Sequence, residues 1–123
     1  MEDEEQKSRS YRDLDVWKLS IDFVKEVYQL TSGFPKIETY GLTSQIRKAA
    51  VSIPANIAEG QGRNSSKEFR QFLAIAIGSL AEVETELIIA KEINYLGPDK
   101  LDFRLAKLDR IRKMLKALSN SLG

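Results

Sequence analysis

Apolar residues recur at alternating steps of three and four in four stretches of this chain, and Gly or Pro breaks the pattern at each of the three joints. That spacing lines one face of a helix of 3.6 residues per turn; a strand, with its period of two, would need strict alternation. In the first stretch Leu14, Trp17, Ile21, Val24 and Tyr28 form one stripe, and Val16, Phe23, Val27 and Leu30 form a second on its flank. Together they span an apolar arc of roughly 200°, twice what one core-facing stripe requires. The excess predicts a helix that packs in its own bundle and also against another chain, with Val16, Trp17, Phe23, Val27 and Leu30 as the candidate oligomer interface.

Gly33-Phe34-Pro35 closes that helix. A second, from near Thr39, has Leu42, Ile46, Ala49, Ala50, Ile53 and Ile57 as its apolar face and ends at Gly60 and Gly62. Pro54 lies inside it and lacks the N–H that would bond to the Ala50 carbonyl, which predicts a kink. Ser65 and Glu68 match a capping box and open a long third helix, expected to reach about Tyr95. Its main stripe is Phe69, Phe72 or Leu73, Ala76, Leu80, Val83, Leu87 and Ala90; Ile75, Ile77, Ile88, Ile89 and Ile93 fall outside, so several neighbours must cover it. After Gly97-Pro98, Asp99 is the expected cap of a fourth helix, with Leu101, Leu105, Leu108, Ile111, Leu115 and Leu118 inward. Short connections make successive helices antiparallel neighbours. The expected fold is therefore all-α, an up-down-up-down antiparallel four-helix bundle over residues 11–120, behind a flexible polar tail at 1–10.

The chemistry open to such a chain is narrow, because it contains neither Cys nor His. Disulfides, thiol nucleophiles, zinc sites with Cys or His ligands and every His-based relay are excluded. Glu82 and Glu86 stand one turn apart on the third helix, beside Ile75, Ser79 and Ile93 on the wheel. Paired carboxylates in a bundle suggest a di-iron centre, but that centre needs Glu-x-x-His on two helices. No metal, cofactor or catalytic residue is expected. The stronger expectation is a structural polar network of Gln45, Arg47, Asn56, Glu59, Glu82 and Glu86, with Arg47 pairing the two carboxylates, since a buried carboxylate without a donor is costly. The acidic start shows no signal peptide, and no apolar run is long enough to span a bilayer, so a cytoplasmic protein with no membrane role and no small-molecule substrate is expected.

The fourth helix is the basic one. Lys100, Arg104, Lys107, Arg110, Arg112, Lys113 and Lys116 are candidate nucleic-acid-binding residues. The plainer explanation is that they solvate an exposed face and favour the helix dipole. A net charge of +1 and a single aromatic residue, Phe103, among these cations favour the plainer one.

Three blocks also carry a resemblance: Tyr11-Arg12-Asp13-Leu14-Asp15-Val16-Trp17-Lys18, the run from Tyr40 to Gly60, and the run from Gly78 to Leu87. Over roughly Tyr11 to Leu118 the chain resembles the bacterial four-helix-bundle family first noticed as reading frames inside 23S rRNA intervening sequences. That family includes the accessory variability determinant of diversity-generating retroelements. The resemblance implies a barrel-like homopentamer without enzymatic activity, with RNA or DNA and a reverse transcriptase as possible partners. The chain departs from the markedly basic retroelement protein in being nearly neutral, with an acidic start. Two functions are expected in order: a non-enzymatic homo-oligomeric scaffold for nucleic acid or a nucleic-acid enzyme, and, as the alternative, a protein-protein interaction module with no nucleic-acid role.

Overall fold

The computed structural model describes residues 10–123; the rest of the expected tail, residues 1–9, lies outside them. Four helices form among the described residues: α1 (Asp15–Thr31), α2 (Leu42–Gln61), α3 (Ser66–Glu92) and α4 (Pro98–Ser121), with 3-10 turns at Tyr11–Asp13 and Lys36–Glu38. There is no strand among them. α1 packs on α2 and α4, and α3 packs on the same two, while α1 and α3, like α2 and α4, do not meet. The helices therefore stand at the corners of a square around one core, an all-α four-helix bundle.

The core is what the stripes foretold for three of the four helices. Ile46, Ile53 and Ile57 from α2, Leu73, Leu80 and Leu87 from α3, and Leu108, Ile111 and Leu115 from α4 are fully buried. Each contributes roughly 1.5–3 kcal/mol by leaving water, more than a typical single surface contact. For α1 the outcome differs from expectation. Val16, Phe23 and Val27, assigned above to an interface between chains, lie at 4% exposure or less inside the bundle. Leu30 of that stripe, and Leu14, Trp17 and Val24 of the other, pack partly buried against the same core, while Tyr28 stays exposed. The 3-10 turn that precedes α1 sets Tyr11 edge-on to Trp17, with centroids 5.3 Å apart. The wide apolar arc is thus used between α2, α4 and this turn.

Helix ends show how local chemistry overrides periodicity. α2 starts at Leu42, not near Thr39, because residues 36–38 close a 3-10 turn and Gly41 has non-helical backbone angles. Glu38 then caps α2: its Oε1 accepts from Leu42 N at 3.0 Å and its Oε2 from Tyr95 Oη at 2.9 Å. These bonds hold the Glu38 carboxyl below its usual range and push the Tyr95 hydroxyl above its own. α3 stops at Glu92, because Asn94 turns left-handed (φ 66°) and Tyr95 N bonds back to Ala90 O at 2.8 Å. At α4 the cap is Gly97, with Pro98 in the first turn, where a missing N–H leaves nothing unpaired. Asp99 instead sits in that first turn and complements the dipole. The capping box forms as expected, Glu68 N donating to Ser65 Oγ at 3.1 Å. α2 runs unbroken through a buried Pro54.

α2 and α3 make the most extensive contact in the bundle. They pair antiparallel: Ser52 Oγ lies 2.8 Å from Ser79 Oγ at mid-length, and Gly60 at the end of α2 faces Phe69 and Phe72 at the start of α3. A Cβ at Gly60 would come within 2.6 Å of Phe72 Cβ. Gly60→Ala should therefore destabilise by about 1–3 kcal/mol, the cost of overpacking, although the same change in a free helix stabilises. Gly78→Ala, where an added Cβ meets nothing within 4 Å, should stabilise by about 0.5–1 kcal/mol. Urea denaturation of both variants checks the opposite signs.

Candidate assembly face

On α3 and its C-cap, Ile75, Ser79, Glu82, Glu86, Ile89 and the cap residue Ile93 follow one another at steps of 4, 3, 4, 3 and 4. Residues so spaced form a seam along one side of a helix, here about 27 Å long. Ile75, Ile89 and Ile93 are 45–50% exposed, large for apolar side chains on a bundle. The Ser79–Ser52 bond places the seam on the edge where α3 meets α2. From α2, Gln45, Lys48, Ala49 and Ser52 join Glu82 around a cleft of about 290 Å³ on that edge.

The expected polar network divides into separate pieces. Arg47 does not reach Glu82 or Glu86. Its Nε donates to Thr31 Oγ1 at 2.8 Å, its Nη2 donates to Tyr28 O at 3.3 Å, and its guanidinium stacks 4.5 Å over the Tyr28 ring. It thereby ties the end of α1 to α2, on the side of α2 away from α3. Asn56 Nδ2 donates to Ser52 O and Ser52 Oγ, both at 2.8 Å, so Asn56, Ser52 and Ser79 form a neutral cluster. Glu59 pairs with Arg63 at 2.7 Å on the exposed end of α2. Gln45 is exposed at the cleft.

Glu86 is left without the cation assigned to it. It is 7% exposed, and its Oε1 has no hydrogen-bond donor among the described residues. Burial, and then the charge of Glu82, raise its carboxyl to about 7. Two carboxylates are all that converge here, and no cluster of three or more acidic, His or Cys side chains suited to a metal occurs among the described residues. The face offers carboxylates, hydroxyls, amides, the Lys48 ammonium and isoleucines, a set suited to recognising a surface.

α4 carries its basic residues differently from a phosphate-binding track. Lys107 pairs with Glu26 of α1, and Arg104 Nε lies 3.5 Å from the same carboxylate. Arg112 reaches Glu84 of α3 at 3.1 Å and Asp109 at 2.9 Å, and Lys113 joins Asp109 at 3.1 Å. Lys113 and Arg112 accordingly hold Asp109 below the usual carboxylate range. The seven candidates thus split between the two flanks of α4, and four of them neutralise carboxylates. Lys100, Arg110 and Lys116 are exposed without an ion pair among the described residues. The sequence hid this because Glu26 and Glu84 belong to other helices, and their register against α4 is a property of packing.

Two outcomes follow from this geometry. Arg47→Met should cost about 1–2 kcal/mol, the worth of charge-assisted bonds to Thr31 and Tyr28, and Arg47→Lys should recover little because an ammonium lacks the planar fork; thermal melts measure both. Glu86 holds its proton more tightly folded than unfolded, so the folded chain keeps that proton between pH 4.5 and about 7. Stability is therefore unaffected by Glu86 below that window and falls as pH rises through it. In the single-copy chain Glu86→Gln should stabilise by up to roughly 3 kcal/mol at about pH 8 and by almost nothing near pH 4. Denaturation of dilute protein at the two pH values checks this.

No curated protein matches this chain. A crystal structure at 1.70 Å of a protein of unknown function from the S23 ribosomal protein family of Bacteroides thetaiotaomicron superimposes with a TM-score of 0.76 at 22% identity, covering 86% of this chain and 99% of that one. The likeness shows a shared fold. The profile of the family described as 23S rRNA-intervening sequence protein matches residues 12–117, all four helices nearly in full, and the chain belongs to that family.

Proposed function

We propose that this protein is a non-enzymatic cytoplasmic scaffold that acts by assembling with copies of itself through the α2–α3 edge, as the ring of five that its resemblance implies. The observation that carries the proposal is the α3 seam: exposed isoleucines at heptad spacing interrupted by Glu86, nearly buried and without a donor. Apolar stripes left open on a small bundle mark interaction surfaces. Our reading moves the assembly surface to α3, because the α1 residues Val16, Phe23 and Val27 are buried in the bundle core. The pairing of Arg104, Lys107, Arg112 and Lys113 weighs against α4 as the primary seat for RNA or DNA.

Native mass spectrometry with sedimentation equilibrium tests the proposal. The expected mass is five times 13.9 kDa. Ile89→Asp should lower it to that of one copy without unfolding the bundle. A single copy at micromolar concentration for the unmodified chain would refute the proposal. The same measurement with a short single-stranded RNA, at low and high salt, reads the nucleic-acid role: a salt-sensitive mass increase supports a scaffold for nucleic acid or a reverse transcriptase. Assembly that ignores RNA supports a module that contacts protein alone.

A further inference from the structure

The side of the square opposite the α2–α3 edge is where α1 meets α4. There Leu19, Phe103, Ala106, Lys107 and Arg110 line an open groove of about 360 Å³. Phe103 is 63% exposed, the most exposed large apolar side chain on any of the four helices. Lys107 is held by Glu26. Arg110 is exposed and pairs with no carboxylate among the described residues, Asp15 and Asp22 of α1 included. The two sides are complementary in kind. One is apolar with two carboxylates that make no ion pair among the described residues, although Lys48 shares the cleft of Glu82, and the other is apolar with a cation that has no carboxylate.

The geometry points to a head-to-tail contact in which Arg110 of one copy meets Glu82 and Glu86 of the next, with Phe103 against the seam isoleucines. The inference rests on the self-assembly proposed above and names its partner surface and its central ion pair. Charge decides against the simplest alternative. A two-fold contact of seam on seam would bring Glu82 and Glu86 against their own copies, with one lysine, Lys48, beside the two carboxylates on each side, and like charges so placed repel. Seam on groove removes that repulsion and sets a cation over Glu82 and the nearly buried Glu86 carboxyl. An arginine suits the place, since its planar guanidinium can serve two carboxylates together and is weakly hydrated for an interface. Because the two surfaces differ, the contact is heterologous: repeated, it either closes into a ring or extends as a filament.

The test uses the full chain and reads its mass and its concentration dependence. Arg110→Glu, an exposed substitution checked for an unchanged melt, should weaken self-association at least about tenfold. Adding the exposed Glu82→Lys to Arg110→Glu should restore assembly by exchanging the charges. If the unmodified chain assembles and Arg110→Glu leaves it unaltered, the head-to-tail pairing is overturned while self-assembly stands. Failure of the double variant to recover also overturns the pairing. An unmodified chain that never assembles removes both proposals.

Discussion

The close approach of α2 and α3 governs the rest of this molecule. Gly60 lets the α2 backbone sit against Phe69 and Phe72, and the hydrogen-bonded Ser52 and Ser79 hold the two helices together at mid-length without bulk between them. Helices pressed together through small residues leave little room for large side chains along the edge where they meet. Ile75, Ile89 and Ile93 are therefore displaced outward, and Glu86, flanked by them, is removed from water without being admitted to the core. The exposed seam and the unpartnered carboxylate are two consequences of one packing choice.

Much of the fold was legible because burial imposes a period on sequence. The inward residues of α2, α3 and α4 follow the stripes, and the capping box at Ser65 and Glu68 is a local device that needs no tertiary knowledge. What periodicity cannot say is which neighbour covers a stripe. The two stripes of α1 looked like one too many, yet a corner helix of a square has two adjoining neighbours, and the Tyr11 turn covers Trp17 besides. Arg47 shows the same limit for polar groups. Its place off the apolar face was readable, but its partners at Thr31 and Tyr28 depend on the register of α1 against α2. The seam itself was half visible: Glu82 and Glu86 fell among apolar residues on the wheel, but only the structure separates a carboxylate with a cation from one without.

Electrostatics sharpen the contrast between the two carboxylate classes in this chain. Glu26, Glu84 and Asp109 take up Arg104, Lys107, Arg112 and Lys113 across and along helices, at positions that remain partly hydrated. Pairs of that kind add little stability individually, about 0–1 kcal/mol, but they offset four of the seven cations of α4 and leave Lys100, Arg110 and Lys116 unpaired among the described residues. The acidic side chains on the α2–α3 edge stand out all the more: Lys48 shares the cleft of Glu82 without an ion pair among the described residues, and Glu86 Oε1 has no donor.

An unpaired carboxylate at such a position has two ways to lower its free energy: to keep a proton or to acquire a cation. In a single copy only the first is open to Glu86, and this is what raises its carboxyl to about 7. If the carboxylate had no further role, a glutamine or leucine would serve the lone bundle better, since replacing buried charge by neutral groups is commonly neutral or stabilising. In an apolar seam, however, charge supplies what isoleucine cannot. Apolar contact is indifferent to its partner, whereas a carboxylate is tolerated only opposite a donor. The isoleucines thus supply the tendency to associate, and the glutamates restrict with what and in which orientation, including against a seam of the same kind.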